Sequence, residues 1–368
     1  MIIGIPKEIK NNEYRVGIVP SGVRELVASK HEVIVEKGAG LGSWINDNDY
    51  SCEGAKIVPT IADVYKNAEM IIKVKEPVRE EFELIENEQI LYTFFHLAAV
   101  PTLAKILLQK KVTAIAYETI QTSDGALPLL TPMSEVAGRM SVQIGAIYLQ
   151  RENGGKGILL GGVPGVRRGM VTIVGAGIVG LNAAKMALGL GAQVKVLDIN
   201  LKKLTYLDDI FQNNITTLMS NSINIEHAVA EADLVIGAVL IPGAKAPKLV
   251  TRAMIEQMSP GSVVVDVSVD QGGCFETTRP TTHDEPIYEV NNVIHYCVTN
   301  IPGAVAKTST YALTNVTLPY ALTLANLGFK EAVKKDRALF WGVNTYNGHI
   351  TYQRVAEALG EKYSPLEL

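Results

Sequence analysis

The sequence predicts an α/β protein built from two doubly wound parallel sheets, and three observations carry that expectation. Short apolar runs alternate with amphipathic ones along the first 130 residues. A second alternating set begins near Met170. That set opens on Gly175-Ala176-Gly177-Ile178-Val179-Gly180, lodged between an apolar strand and a helix-like run. Alternation of this kind brings parallel strands together with helices on both faces.

In the first region, strands are predicted at Ile2–Ile5, Glu32–Glu36, Met70–Val74, Ile90–Phe95 and Val112–Ala116. Helix-like runs lie between them, as at Gly22–Ser29, Ile61–Lys66 and Thr102–Lys110. A long helix is predicted from Ser134 to about Gln150, with Ser134 as its N-cap after Pro132. Its apolar positions Val136, Met140, Ile144 and Ile147 recur at helical spacing. The second region supplies strands at Val171–Val174, Val194–Leu197, Thr216–Met219, Leu234–Ala238, Ser262–Val267 and Val293–Tyr296, the six of a complete Rossmann-like nucleotide domain. Another long helix is predicted from about Ser309 to Leu327, kinked by Pro319 and stopped by Gly328. Residues after 330 read only as helix-like pieces, too few for a core of their own. The expected organisation is a discontinuous domain, 1–129 plus 307–368, into which a domain spanning 130–306 is inserted. Two long helices would link the domains, which would flank a cleft.

The glycine run has the order of a dinucleotide site: strand, tight turn, helix, strand, acid. Gly175 permits the turn, Gly177 lets backbone approach a pyrophosphate, and Gly180 lets the helix pack close to the sheet. The turn opens into a helix-like run, Leu181 to Leu190, whose N-terminus presents N–H groups and a positive dipole end to phosphates. Asp198 closes the second strand, where a carboxylate accepts hydrogen bonds from ribose hydroxyls and repels a 2′-phosphate. NAD is therefore expected over NADP, a preference that Lys202 and Lys203 weaken by their proximity.

Bulk composition narrows the remaining classes. The chain has 368 residues, 47% hydrophobic and 20% charged, with a net charge of -4, an ordinary globular profile. No basic block marks a nucleic-acid partner. Cys52, Cys274 and Cys297 are far apart and odd in number, so they read as reduced thiols of a cytoplasmic protein. No Cys/His spacing suggests a metal. The start Met-Ile-Ile-Gly-Ile-Pro-Lys-Glu lacks signal-peptide form, and no apolar stretch is long enough to span a membrane.

Ligands of open α/β sheets bind beyond the carboxyl ends of the strands. Lys75 follows one predicted strand and His96 another; Asp270 lies just past Ser262–Val267, and Arg15 in the loop after the first strand. Each alone has an ordinary alternative: a surface pair of Lys75 with Glu76, a satisfied strand-end histidine, a turn-capping Asp270, a solvated Arg15. Together, beside a dinucleotide site, they form two cations for a carboxylate plus an acid/base pair. Oxidation of a small amino or hydroxy acid requires that set.

Many stretches in order resemble the bacterial L-alanine dehydrogenases. They include Ile3-Gly4-Ile5-Pro6-Lys7-Glu8 with Asn12-Glu13-Tyr14-Arg15-Val16-Gly17, and Gly38-Ala39-Gly40-Leu41-Gly42-Ser43. Lys73-Val74-Lys75-Glu76-Pro77, Thr93-Phe94-Phe95-His96-Leu97-Ala98 and Tyr117-Glu118-Thr119 follow. The segment from Pro128 to Gly138, Leu160 to Val166, the glycine run, Asp266 to Gly273 and Asn300 to Val305 complete the set. The resemblance implies NAD-dependent, reversible conversion of L-alanine to pyruvate and ammonium. It implies substrate cations at Arg15 and Lys75, an acid/base at His96 and its acidic partner at Asp270, with both of the latter reaching one bound substrate. It further implies cofactor contacts at Ser134, Gly175 to Gly180, Asp198, Lys203, Ser220, Val239, Leu240, Val267, Ser268, Val269, Asp270, Val298, Thr299, Asn300 and Ile301. For Val239 the ordinary alternative is strand core. A homohexamer is implied by analogy. Thr323 and Leu327 offer no acidic or histidine pair, so no metal carries over from relatives that hold one on the second long helix. Two rival readings share the architecture: a non-catalytic NAD(H)-binding component of a proton-translocating transhydrogenase, and a dehydrogenase for lysine or saccharopine.

Overall fold

Alternating apolar and amphipathic runs resolve into two sheets in the computed structural model, which describes residues 1–239 and 246–368. In chain order the strands are β1 (Ile2–Ile5), β2 (Glu32–Glu36), β3 (Lys56–Val58), β4 (Met70–Ile72), β5 (Ile90–Thr93), β6 (Thr113–Ala116), β7 (Met170–Val174), β8 (Gln193–Asp198), β9 (Thr216–Met219), β10 (Leu234–Gly237), β11 (Val263–Asp266), β12 (Ile287–Val290), β13 (Val293–Tyr296), β14 (Val343–Tyr346) and β15 (His349–Ile350). The chain divides into one unit of Met1–Met133 with Val305–Leu368 and another of Ser134–Ala304. Among the described residues the first unit holds an eight-stranded sheet, β15-β14-β6-β5-β4-β1-β2-β3, and the second a seven-stranded one, β12-β13-β11-β10-β7-β8-β9.

Strands buried on both faces are largely apolar, as the central strands here are. In the second unit, Leu234, Ile236, Val263 and Val265 pack into one core cluster. Their alternating neighbours Val235 and Val264 pack into another. This is the two-residue period of a strand read out on opposite faces. Each such side chain contributes about 1.5–3 kcal/mol by leaving water. In the first unit, Ile71, Leu91 and Ala114 pack against Leu103 and Leu107 of the helix Pro101–Gln109.

Both sheets are parallel through their centres and antiparallel at one edge. β1 to β6 pair in parallel, as do β7 to β11 with β13. The antiparallel strands escaped the sequence reading. β12 lies antiparallel to β13, a seventh strand where six were expected. The residues after 330 are not only helical: β14 runs antiparallel to β6, and β15 folds back on β14. Their sequence is too short and too polar to register as a strand. The polar side chains act as pegs: Asn344 Nδ2 donates to Thr119 Oγ1 at 2.7 Å, and Thr345 Oγ1 to the Val112 carbonyl at 2.9 Å. The three-residue β3 and the helix Asp47–Cys52 were likewise too short to show periodicity.

Two helix starts also differ. The helix carrying Ser134 runs Thr131–Tyr148, so Ser134 is inside the first turn and does not cap it. Proline lacks the N–H that a first turn leaves unpaired, so Pro132 opens this helix instead of preceding it. The second long helix is Ala306–Leu327, with Pro319 inside it and Gly328 at its C-cap with φ 72°.

The pegged hairpin gives a stability test. Asn344→Ala removes the donor to Thr119 in a buried setting and is expected to lower the unfolding free energy by about 1–3 kcal/mol. Urea unfolding checks this, and an unchanged midpoint would show that the peg does not hold the hairpin.

Candidate functional site

Each sheet has a topological switch point, where successive connections leave in opposite directions, and ligands of open α/β sheets bind outside such points. In the first unit the switch lies between β1 and β4, and in the second between β7 and β10. The loop after β1 carries Arg15, the segment after β4 carries Lys75, and the next strand, β5, ends towards His96. With neighbouring strands about 4.8 Å apart, all three belong to one end of one sheet.

Arg15 is not the solvated loop charge of the ordinary reading: only 3% of it is exposed. Its Nε donates to Glu13 Oε1 at 2.6 Å, its Nη2 to Glu13 Oε2 at 2.5 Å, and its Nη1 reaches Met133 Sδ at 3.0 Å. Burial pushes the Glu13 carboxyl upward, but the hydrogen bonds and charge of Arg15, with the charge of Lys75, outweigh it and hold Glu13 below its ordinary value. Lys75 is half-buried, and Glu76, its partner in the ordinary alternative, gives Oε1 to Lys10. Burial first, then the Arg15 charge, pulls the Lys75 ammonium below its usual range. Its backbone is held on both sides: the Lys75 N–H donates to Glu8 Oε1 at 3.3 Å and its carbonyl accepts from Thr93 Oγ1 at 3.0 Å. Lys73, two residues earlier, is buried between Glu8 and Glu81 at 3.3 and 2.8 Å.

His96 is exposed and left-handed, with φ 47° and ψ 41°. Its ring stacks on Phe94, centroids 6.0 Å apart and planes at 4°. Its N–H donates to Glu118 Oε1 at 2.6 Å.

In the second unit the glycine run has the geometry a phosphate cradle needs. Gly175 adopts φ 111°, open to glycine, and a Cβ there would lie 2.5 Å from the Ala238 carbonyl oxygen. A Cβ on Gly180 would lie 1.8 Å from the Gly175 carbonyl oxygen, which fixes the helix Ile178–Gly189 against the turn. A Cβ on Gly177 would meet nothing within 4 Å, so this backbone faces open space at the helix start. Gly138 rests on the same turn, its would-be Cβ 2.3 Å from the Val179 carbonyl oxygen.

Asp198 ends β8 beside this turn. Its Oδ2 accepts from the Ala176 N–H at 2.7 Å and its Oδ1 from the Asn200 N–H at 2.8 Å. Lys203 Nζ stands 3.8 Å from Oδ2. Ser220 follows β9 and donates its N–H to the Asp198 carbonyl at 3.1 Å. Val239 lies past the end of β10 and is half-buried, so it is not strand core. Leu240, with Pro242 and Gly243, lies outside the described residues. Ser134 is half-buried in the first turn of its helix.

Beyond β11 come Val267, Ser268 and a 3-10 turn, Val269–Gln271, that presents Asp270 in an exposed position. Beyond β13 come Val298, Thr299, Asn300 and Ile301, with Asn300 left-handed at φ 66°. The buried Asp266 anchors the first of these loops: Oδ1 accepts from the Ser268 N–H at 3.0 Å and Oδ2 from Thr278 Oγ1 at 2.7 Å. Burial raises the Asp266 carboxyl to about 6. Cys274 and Cys297 are buried, and burial pushes both thiols upward. Among the described residues no group of three His, Cys, Asp or Glu side chains is placed to hold a metal ion.

Glu8, Glu13, Glu118 and Asp266 were not singled out from the sequence. The available signal was an acidic residue at or just past the end of an apolar strand.

The alanine dehydrogenase/PNT family matches the chain twice: its N-terminal domain over residues 4–137 and its C-terminal domain over residues 141–353. An alanine dehydrogenase of Methanococcus maripaludis is 62% identical over 368 residues, covering 100% of this chain and 99% of that protein. A solved L-alanine dehydrogenase superposes with a TM-score of 0.95 at 52% identity, covering 98% of this chain and 99% of the other. A transhydrogenase from Sinorhizobium meliloti superposes with a TM-score of 0.84 at 26% identity, covering 95% of this chain and 100% of the other.

Two tests follow from the local geometry. Gly177→Ala is expected to leave the melting temperature near wild type while weakening dinucleotide binding at least about tenfold. Gly180→Ala is expected to cost about 4 kcal/mol or more of stability through backbone overlap. Thermal melts and NADH fluorescence titrations separate the two, and equal behaviour of the variants would refute the assigned roles. For Asp266, burial lifts the folded carboxyl above its unfolded value, so ionisation opposes folding. Its stabilising contribution is complete below about pH 4 and is lost as pH rises through about 6. Asp266→Asn is expected to remove about 3 kcal/mol of that decline, read from urea unfolding across this window. An unchanged slope would mean that the carboxyl titrates normally.

Proposed function

The chain belongs to the alanine dehydrogenase/PNT family, and from that membership we propose that it catalyses the reversible oxidative deamination of L-alanine to pyruvate and ammonium with NAD. The observation that carries the reading is full-length similarity to alanine dehydrogenases together with Arg15, Lys75 and His96 at the carboxyl end of one sheet. The transhydrogenase reading is weaker on the same grounds, since that likeness falls to 26% identity.

The residues of the second unit fit a dinucleotide. The open space over Gly177, the helix start at Ile178 and Val179, and the carboxylate of Asp198 suit a pyrophosphate and a ribose in turn. Ser134, Lys203, Ser220, Val239, Val267 to Asp270 and Val298 to Ile301 are proposed as further contacts, supported by their places at strand and helix ends. Leu240 is proposed with them on the family resemblance alone. Bound NAD supplies the hydride acceptor.

The chain's own residues do the remaining work. Glu13 holds the Nε side of the Arg15 fork, which fixes the guanidinium in place for the substrate carboxylate. Lys75, partly stripped of water, donates to the carboxylate or to the developing carbonyl oxygen. Loss of hydride from the α-carbon leaves an iminium, to which water adds before ammonia leaves. The neutral imidazole of His96 accepts a proton from that water and later returns one to the nitrogen. Asp270 stabilises the positive charge on the substrate nitrogen and orients the water. A cytoplasmic homohexamer is part of the reading by family analogy.

NADH formation from L-alanine, followed by the absorbance of the reduced nicotinamide against a panel of amino acids including lysine, tests the reaction. L-alanine is expected to be the preferred substrate and NAD the preferred cofactor, with Asp198→Arg narrowing the gap to NADP. His96→Ala should lower turnover by about 10²–10⁴ while NADH still binds. Arg15→Lys and Lys75→Ala should raise KM for alanine and pyruvate alike, with about 1.5–3 kcal/mol lost per charge-assisted contact. No turnover of alanine in a folded, NADH-binding protein would overturn the proposal.

A further inference from the structure

We propose that Glu118 is the positioning residue for His96, holding the strand-end turn from which the imidazole works. The inference rests on the reading of His96 as the proton acceptor. Glu118 follows β6 in the 3-10 turn Tyr117–Thr119, and β6 pairs in parallel with β5, with Ala116 opposite Thr93. That register sets the Glu118 carboxylate beside the first residues past the end of β5. Both its oxygens accept from the Phe95 N–H at 3.2 Å, and Oε1 also accepts from the His96 N–H at 2.6 Å. These are the two amides that the parallel ladder no longer serves.

The need for such an anchor is visible in the backbone. His96 sits at φ 47° and ψ 41°, a region that disfavours a residue with a Cβ, so the turn persists only where its surroundings impose it. The turn also sets the ring. His96 stacks nearly parallel to Phe94, and Phe94 in turn packs edge-on against Tyr117, the residue preceding Glu118. Backbone orientation and ring orientation are thus tied to the same short segment. Two N–H groups point at one carboxylate, and an ionised carboxylate offers only acceptors. An amide in its place would offer one acceptor oxygen and turn an N–H₂ donor towards N–H donors. Glu118 touches the backbone of His96 and acts through it.

Glu118→Gln tests the proposal in the full-length protein with L-alanine and NAD. It is expected to lower kcat about 10- to 100-fold, with NADH affinity and melting temperature close to wild type. In a His96→Ala background the same substitution is expected to change kcat less than about twofold, because the group it positions is gone. Glu118→Asp keeps both oxygens at shorter reach and is expected to lose less, about three- to tenfold, with the same dependence on His96. If Glu118→Gln does not fold, Glu118→Asp carries the cycle. Wild-type kcat in either folded Glu118 variant, beside a severe loss in His96→Ala, would overturn the proposal. So would equal losses with and without the imidazole. Wild-type turnover in His96→Ala would instead overturn the acid/base reading on which it rests.

Discussion

Parallel strands leave N–H groups unserved at their carboxyl ends, the same ends at which an open sheet builds its ligand site. In this protein carboxylates satisfy them. Glu8 accepts from Val74 and Lys75, Glu118 from Phe95 and His96, Asp266 from Ser268, and Asp198 from Ala176 and Asn200. Glu13 does the corresponding work on a side chain, gripping Arg15. Charge-assisted bonds are roughly twice as strong as neutral ones, so each anchor fixes a loop that a hydroxyl or amide would hold loosely. The cost is desolvation, seen in the raised carboxyls of Glu8 and Asp266. Where the cation also donates paired hydrogen bonds, as Arg15 does to Glu13, the balance reverses.

The two units solve the same problem with different materials. In the first, charge holds charge: Lys73 is buried between Glu8 and Glu81, and Glu81 also accepts from Tyr65 Oη at 2.9 Å. That cluster lies two residues before Lys75, so the inner of the two lysines is locked in ion pairs while the outer one is only half-buried. In the second, absence of side chains does the work. Gly175 turns, Gly180 lets backbone touch backbone, and Gly138 brings a second helix onto the same turn. Of these four glycines only Gly177 has open space where a Cβ would lie, which separates it from the three packing positions.

Much of the architecture was legible because its central strands are apolar on both faces and bounded by turn residues. Ile2–Ile5, Glu32–Glu36 and Val293–Tyr296 stand in the structure with the bounds their sequence suggested, as does the edge strand Thr216–Met219. The antiparallel strands were harder: β12 lies at an edge and need not be apolar on both faces, and β14 is held by Asn344 and Thr345 through hydrogen bonds that no periodicity records. Ser134 misled as a cap because Pro132 can sit inside a first turn. Arg15, Lys75 and His96 could be picked out by strand-end position alone. Their anchors Glu8, Glu13 and Glu118 gave only the weak signal of an acid past a strand end, because their roles depend on partners set by tertiary register.

The hairpin β14–β15 carries a consequence for how the chain is made. β6 is complete once residue 116 has left the ribosome, yet its antiparallel partner begins only at Val343. Between them the whole of Ser134–Ala304 must be synthesised, a unit with its own sheet and cores. Throughout that interval the nascent first sheet bears an open edge along Thr113–Ala116, the kind of surface that pairs with other chains. Domains fold as units during synthesis, so the inserted unit closes first and the earlier-made one last. Biogenesis thus runs against the order of the sequence, and the closing strands are translated only after the whole inserted unit.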